Sequence, residues 1–141
     1  MADILDTFNI AASGLSAERL RLQTIASNMA NAKTTRAPGG GPYKRQVPVF
    51  ANEPLNAFGD ELEKAIGRVN VVGVQSDPAP PMMVYDPSHP DANADGYVAY
   101  PDINIMQEMV DMMSANRTYE ANASIIDSTS SMAARALEIG K

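Results

Sequence analysis

Both ends of the chain carry long segments that favour helix, and this arrangement constrains the fold more than any other feature. Residues 3–37 contain no Pro and a single Gly, Gly14. Residues 102–139 contain neither Pro nor Gly. Because these two residue types interrupt helices, each segment is predicted to form one continuous helix.

Apolar residues recur in both segments at alternating steps of four and three, the pattern of helices that pack lengthwise. In the first segment eight of nine seam positions are apolar, in the order Ile4, Phe8, Ala11, Leu15, Glu18, Leu22, Ile25, Met29, Ala32. In the second segment eight of ten are non-polar or aromatic, in the order Ile105, Met109, Met112, Asn116, Tyr119, Ala123, Ile126, Ser130, Ala133, Leu137.

Between the helices, turn residues separate short runs with β propensity. The fold is predicted to be mainly α with a small β region: a long helix over 1–37, a Pro- and Gly-rich β and loop region over 38–101, and a long helix over 102–141, with Asp102 at its start. Strands are predicted at 46–50, 69–74, 82–85 and 97–100. Phe58, Leu62 and Ile66, at steps of four, suggest a short helix.

The apolar stripes are wider than one seam, because Met106, Val110 and Met113 flank the second one. Pairing the two helices would therefore leave apolar surface uncovered. Each large side chain left exposed loses about 1.5–3 kcal/mol of the stabilisation that its burial would give. Contacts with neighbouring chains would cover it, and open contacts of this kind build filaments or tubes. The alternative from periodicity alone is the core of an ordinary helical bundle.

Composition excludes several classes of function. The net charge of −6 and the pI of about 4.6 argue against a nucleic-acid-binding protein. The basic group Lys33, Arg36, Lys44 and Arg45 is predicted to be a solvated loop. Without Cys the chain has neither disulfides nor a thiolate metal site. An acidic start without a secretory apolar run, and no membrane-spanning stretch, suggest a cytoplasmic protein when taken alone.

Calcium binding is the main alternative from another class. Asp91, Asn93, Asp95 and Gly96 match the opening of an EF-hand loop, and Asp102 occupies the twelfth position. Pro87 and Pro90 forbid the entering helix, however. A tight turn at Asn93–Gly96 explains the same letters.

Two further classes are disfavoured. His89 is the only histidine and adjoins Pro90, which is typical of a turn rather than a catalytic base, and Gly39–Gly41 lack the Lys-Ser or Lys-Thr of a phosphate loop. No enzyme and no cofactor are therefore predicted. An amphipathic membrane-surface protein would carry Lys or Arg on its polar helix faces, where this chain has Glu108, Asp111, Glu120 and Asp127.

Several motifs resemble those of one protein family. Residues 25–36, Ile-Ala-Ser-Asn-Met-Ala-Asn-Ala-Lys-Thr-Thr-Arg, resemble the signature that ends the N-terminal helix of bacterial flagellar rod, hook and hook-associated proteins. The version carried by proximal rod proteins of the basal body is similar at 40–46, 84–87, 89–90, 95–98 and 100–101, and again at 108–112, 114–117 and 119–122. The match is weakest at 51–67.

The resemblance implies a structural subunit that polymerises through its terminal helices into a hollow axial rod. It further implies export without a cleaved signal and assembly in the periplasm, in place of the cytoplasm. The implied partners are copies of the chain, other rod proteins, and ring and export-gate components, with neither nucleic acid nor membrane insertion. The assembly interface is predicted at Ile4, Phe8, Leu15, Leu22, Ile25, Asn28, Met29, Asn31, Met109, Met112, Asn116, Tyr119, Ile126 and Leu137. Asn28 and Asn31, three residues apart, would offer amides for hydrogen bonds between subunits.

Overall fold

Two long helices form the body of the protein in a computed structural model that describes residues 2–54 and 67–139. Helix α1 spans Ala2–Ala30 and helix α2 spans Ile105–Ile139. The helices run antiparallel, since Gly14 faces Asn122 while Asn28, further along α1, contacts Glu108, earlier on α2. The mainly α fold with terminal helices around a small β region is confirmed.

Both helices are shorter than the sequence suggests, and local polar groups explain the difference. Helix α1 ends at Ala30 rather than residue 37, because the N–H of Ala32 leaves the helical pattern and bonds the Met29 carbonyl at 3.4 Å. The side-chain amide of Asn31 donates to the Ser27 carbonyl at 2.9 Å at this turn. Helix α2 begins at Ile105 rather than Asp102. Its N-cap is Asn104, whose Oδ1 accepts the backbone N–H of Met106 at 3.0 Å.

Small residues line the contact between the helices. Ala11, Ala17 and Ala115 are buried, so the two backbones approach closely. A Cβ on Gly14 would lie 2.8 Å from Asn122 Nδ2. Glycine in a helix interior lowers stability by about 1 kcal/mol relative to alanine. Here the absence of a Cβ leaves room for the Asn122 side chain against α1.

A larger residue at position 14 should destabilise the helix pair. We expect Gly14→Val to lower the free energy of unfolding by about 1–3 kcal/mol, because its side chain overlaps Asn122. Urea denaturation followed by circular dichroism measures the change. The double variant Gly14→Val with Asn122→Ala should recover part of the loss, and an unchanged single variant would contradict this packing.

The four predicted strands are present and form two antiparallel pairs. Strand β1 (Gln46–Pro54) pairs with β2 (Gly67–Ser76), with a register shift between Val49 and Phe50 that bends the ribbon. Strand β3 (Met82–Tyr85) pairs with β4 (Tyr97–Tyr100). The short helix predicted around Phe58, Leu62 and Ile66 lies outside the described residues.

The β1–β2 ribbon packs beside α1. Strand β1 begins next to Asn28, near the end of α1, and the ribbon extends back along that helix. Near the start of β2, the N–H of Val69 donates to the Oγ of Ser13 at 3.0 Å. In the smaller β3–β4 pair, Val98 is fully buried and the rings of Tyr85 and Tyr97 meet edge to face. Within the described segments, neither helix is long and apolar enough to cross a bilayer.

Candidate assembly surface and the polar hub beside it

One side of α2 exposes a continuous apolar strip near its N-terminus. We define the methionine stripe as Met106, Met109, Val110 and Met113, which repeat at helical spacing along one face. Their exposed fractions are 69%, 43%, 56% and 56%. Met side chains adapt to irregular partners, so this strip suits a contact with another protein.

The opposite end of the helix pair has its own apolar opening. Ile4 and Leu5 of α1 lie across from Ala133, Ala136 and Leu137 of α2 around an open groove of about 280 Å³. Leu5 is 63% exposed and Leu137 is 71% exposed. Apolar surface is therefore uncovered at both ends of the pair.

The strands add further exposed apolar residues. Along β2, the exposed side chains point to both faces of the ribbon, and they are Val69, Val71, Val72 and Val74. All four residues of β3, Met82–Tyr85, are exposed as well. A two-stranded sheet with wet apolar residues is marginally stable by itself, which makes these strands candidates for contact with a neighbouring chain.

A cluster of polar groups, two buried and three half-buried, joins α1, α2 and the start of β1. We call it the polar hub and define it as Asn28, Tyr43, Arg45, Gln46 and Glu108. Asn28 and Glu108 are each 1% exposed. Arg45 closes the cluster from the solvent side, with its Nε 2.7 Å from Glu108 Oε1.

The amide of Asn28 uses its full hydrogen-bonding capacity within the hub. Its Nδ2 donates to the Gln46 carbonyl at 2.9 Å and to Glu108 Oε2 at 3.2 Å. Its Oδ1 accepts the Gln46 N–H at 2.8 Å and the Tyr43 hydroxyl at 3.1 Å. The buried Glu108 carboxylate is therefore paired with Arg45 and hydrogen-bonded, as a buried charge must be.

The hub corrects two expectations from sequence. Glu108 was assigned to a solvated polar face, yet it is buried. Arg45 was assigned to a solvated basic loop, yet it binds Glu108, and Arg36 of the same group pairs with Asp91. The sequence carries no direct signal for the burial of Glu108; in the structure it lies seven residues before the buried Ala115, on the same face of α2.

The predicted interface residues of α1 lie mostly on its inner side. Ile25 and Asn28 are buried, and the other predicted residues of the helix are half-buried: Ile4, Phe8, Leu15, Leu22 and Met29. Asn31, just after the helix, is half-buried as well. The amides of Asn28 and Asn31 bond within the chain, Asn28 in the hub and Asn31 to the Ser27 carbonyl. A hydrogen bond from either one to a neighbouring subunit stays a prediction.

The predicted residues of α2 are divided between two faces. Met112 and Ile126 are half-buried, whereas Met109, Asn116, Tyr119 and Leu137 are exposed. The deepest positions against α1 are instead Glu108, Ala115 and Thr129, at spacings of seven and fourteen. The close approach of the backbones selects small or hydrogen-bonded side chains there and turns Met109 outward. The role of each residue in assembly stays a prediction.

The candidate calcium loop is a turn that its own residues hold closed. Asn93 Oδ1 accepts the N–H groups of Asp95 and Tyr97, and Gly96 has a φ of 80°. Asp91 faces Thr35 and Arg36. Asp102 lies in the connection to α2. Over residues 2–54 and 67–139, no group of three or more acidic or imidazole side chains converges as metal ligands would.

Asp91 ties the segment after α1 to the turn before β4, and this contact should depend on pH. The Thr35 hydroxyl, with the Arg36 guanidinium, lowers the pKa of the Asp91 carboxyl from its ordinary value. A carboxyl with a lowered folded pKa adds stability above its unfolded pKa, and this stability is lost as pH falls through the folded pKa. The contact should therefore hold at neutral pH and weaken only in acid.

An NMR titration of the Asp91 carboxyl carbon measures this pKa. We expect a value below the ordinary pKa of an Asp carboxyl in model peptides. Thr35→Val should raise it, because the hydrogen bond from Thr35 is the largest cause of the shift. Thr34→Val, whose hydroxyl bonds Asn31 instead, is the matched control. An ordinary pKa in the parent chain would contradict the geometry.

Comparison with known proteins matches this architecture at both helices. The family model described as flagella basal body rod protein matches residues 8–37, and the one described as flagellar basal body rod FlgEFG protein C-terminal matches residues 94–139. The chain is 42% identical to the flagellar basal-body rod protein FlgC of Borreliella burgdorferi, over 96% of this chain and 97% of that protein. It belongs to the FlgC family of flagellar basal-body rod proteins.

Other FlgC proteins agree along the whole length. Identity is 38% to FlgC of Salmonella typhimurium, over 98% of each chain, and 39% to FlgC of Aquifex aeolicus, over 100% of each. The chain is thus a non-enzymatic structural subunit of the flagellar basal-body rod, which serves motility and assembles with other basal-body components. The calcium alternative finds no support among these relatives.

Proposed function

We propose that this rod subunit polymerises through the uncovered sides of its helix pair, with the methionine stripe as a principal contact, in the proximal part of the rod. The observation that carries the proposal is the imbalance between buried and exposed apolar residues. In the described part of the chain the buried apolar side chains are Ala11, Ala17, Ile25, Val98 and Ala115. Three of these five are alanines, which bury little area.

The exposed apolar side chains are both larger and more numerous. Full burial of an exposed Met or Val side chain stabilises it by about 1.5–3 kcal/mol, and the four members of the methionine stripe, which are 43–69% exposed, would each gain the part of this that remains. Neighbouring subunits that cover these surfaces would supply the missing stabilisation.

The proposed neighbours are copies of this chain and other rod proteins, with ring and export-gate components at the ends of the rod. The family places the protein in the basal body, and we propose its periplasmic section. Antiparallel helix pairs with apolar residues on their outer sides suit a layer in which each pair packs against the next. Such heterologous contacts extend along an axis rather than close into a dimer.

We also propose that the chain reaches this location without removal of an N-terminal segment. The first turns of α1 support the proposal, because Ile4 and Leu5 line the groove that they share with Ala133, Ala136 and Leu137. Loss of these turns would remove one wall of that groove. Mass spectrometry of the subunit from purified basal bodies should find peptides that include Ile4 and Leu5, whereas a mature chain that starts later would refute the proposal.

Deletion and complementation test the function itself. A strain without the gene should be non-motile, and its basal bodies should lack a rod in electron micrographs. Complementation with the intact gene should restore both. Basal bodies with a complete rod in the deletion strain would overturn the proposal, and so would a rod interrupted only beyond its proximal section.

A further inference from the structure

We propose that the polar hub sets the direction in which the β1–β2 ribbon leaves the helix pair, with Asn28 and Glu108 as positioning residues for the ribbon. The inference concerns the internal geometry of one chain and is independent of how subunits contact each other. It rests on three observations. Asn28 pairs with the start of β1, Arg45 anchors the start of β1 and the end of β2, and contacts outside the hub hold the two helices together.

Asn28 takes the place of a neighbouring strand at the start of β1. Its side-chain amide accepts the N–H of Gln46 at 2.8 Å and donates to the carbonyl of the same residue at 2.9 Å. A paired strand satisfies a residue through the same two bonds. Because both bonds are directional and come from a side chain that is only 1% exposed, they fix the orientation of the Gln46 peptide groups against α1 as well as their position.

Arg45 anchors the other side of the ribbon base. Its carbonyl accepts the N–H of Asp77, immediately after β2, at 2.7 Å. Its guanidinium lies 2.7 Å from Glu108 Oε1 and 3.8 Å from Asp77 Oδ2. Both ends of the ribbon base are thus connected through Arg45 to a single buried carboxylate on α2, while Asn28 connects the β1 end to α1.

The helix pair has contacts that do not involve the hub. Gly14 packs against Asn122, and Ala11 and Ala115 are buried in the interior of the pair. Along the ribbon, by contrast, the Val69 N–H bonds Ser13 at an exposed position, and the β2 valines are open to solvent. Loss of the hub should therefore release the ribbon before it separates the helices.

Spin-label distances can test the two parts separately in the full chain. The chain has no Cys, so labels attach only where Cys is introduced. Labels at Gln23 and Val72 report the distance between α1 and the ribbon, and labels at Gln23 and Ser114 report the distance between the two helices. All three positions are exposed. Pulsed electron paramagnetic resonance then gives the distance distribution for each pair.

The test variants are Asn28→Ala, Glu108→Ala and the isosteric Asn28→Asp. Asn28→Asp keeps the shape but loses both N–H donors and places a second carboxylate beside Glu108. The matched controls are Asn9→Ala and Glu120→Gln, because Asn9 and Glu120 are exposed on the same helices. In the parent chain we expect one maximum in the distance distribution of each label pair. The test variants should broaden the Gln23–Val72 distribution and leave the Gln23–Ser114 distribution unchanged, whereas the control variants should leave both unchanged.

Three results would overturn the proposal. An unchanged ribbon distribution in all three test variants would show that the hub does not hold the ribbon. Equal broadening of both label pairs, or loss of the helical circular dichroism signal, would show that the hub holds the helix pair instead. Asn28→Asp that behaves like the parent would also contradict the role of the two N–H donors.

Discussion

Val110→Asp is expected to abolish incorporation of the subunit into the rod while the isolated chain keeps its helical structure. Val110 lies in the centre of the methionine stripe and is 56% exposed, so a carboxylate there stays hydrated in the free chain. If a neighbouring subunit covers the stripe, the same carboxylate loses its water without gaining a partner. Burial of an unpaired charge costs at least about 3 kcal/mol, which weakens association by about 100-fold or more.

Motility in soft agar and the amount of subunit in purified basal bodies measure the effect. Val110→Leu is the control for chemistry, since it keeps an apolar side chain and should retain motility. Thr118→Asp is the control for charge, because Thr118 is exposed on α2 away from the stripe. A motile Val110→Asp strain with normal basal bodies would remove the stripe from the assembly surface.

Ile25→Asp should act on folding rather than on assembly, because it should unfold the chain before the chain can assemble. Ile25 is 5% exposed and lies on the inner side of α1, next to the hub. Removal of an Ile side chain from such a site costs about 2–5 kcal/mol, and an unpaired carboxylate in its place adds to this loss. Since small domains are stable by about 5–15 kcal/mol, the variant should lose much of its helical signal at ordinary temperature.

The two Asp variants are a matched pair that separates folding from assembly. Thermal denaturation followed by circular dichroism should show a large decrease in Tm for Ile25→Asp and almost none for Val110→Asp. Ile25→Val, which keeps a branched apolar side chain, should cost about 0.5–1.5 kcal/mol and serves as the control. Equal melting temperatures for the two Asp variants would contradict the assignment of Ile25 to the inside of the helix pair.

Periodicity and turn chemistry predicted the elements of the fold because these signals are local. The two Pro-free segments form helices, and all four runs of β-favouring residues form strands. The predicted ends of the helices were less accurate, since the ends are marked by a few side-chain hydrogen bonds of Asn31 and Asn104. Several polar residues near each end could have served as caps, and sequence spacing alone did not distinguish them.

The rotation of α2 about its axis could not be obtained from its apolar pattern. Met109 fits a heptad seam as well as Met112 does, yet only Met112 turns partly inward. The side that faces α1 is selected by how closely the backbones approach, and this favours Ala115 and the paired Glu108 over long Met side chains. A stripe wider than one seam contains more than one possible contact line, so the choice depends on tertiary packing.

The hub was missed for a related reason. Its members are polar, and polar residues in helices and loops are usually exposed. Asn28 lies eighty residues from Glu108 in the sequence, and their contact depends on the antiparallel register of the helices. The resemblance of residues 25–36 to a family signature identified the segment as important, but the hydrogen bonds of Asn28 supply its physical role inside the chain.

Methionine oxidation tests most directly whether assembly covers the apolar side of α2. Hydrogen peroxide transfers one oxygen atom to an accessible thioether, and peptide mass spectrometry gives the rate at each Met. In the isolated chain Met106 and Met113, 69% and 56% exposed, should react faster than the half-buried Met112. In purified basal bodies Met106 and Met113 should be oxidised much more slowly than in the isolated chain. Equal oxidation rates in the isolated chain and in basal bodies would show that the stripe stays open to solvent in the rod and would contradict the account.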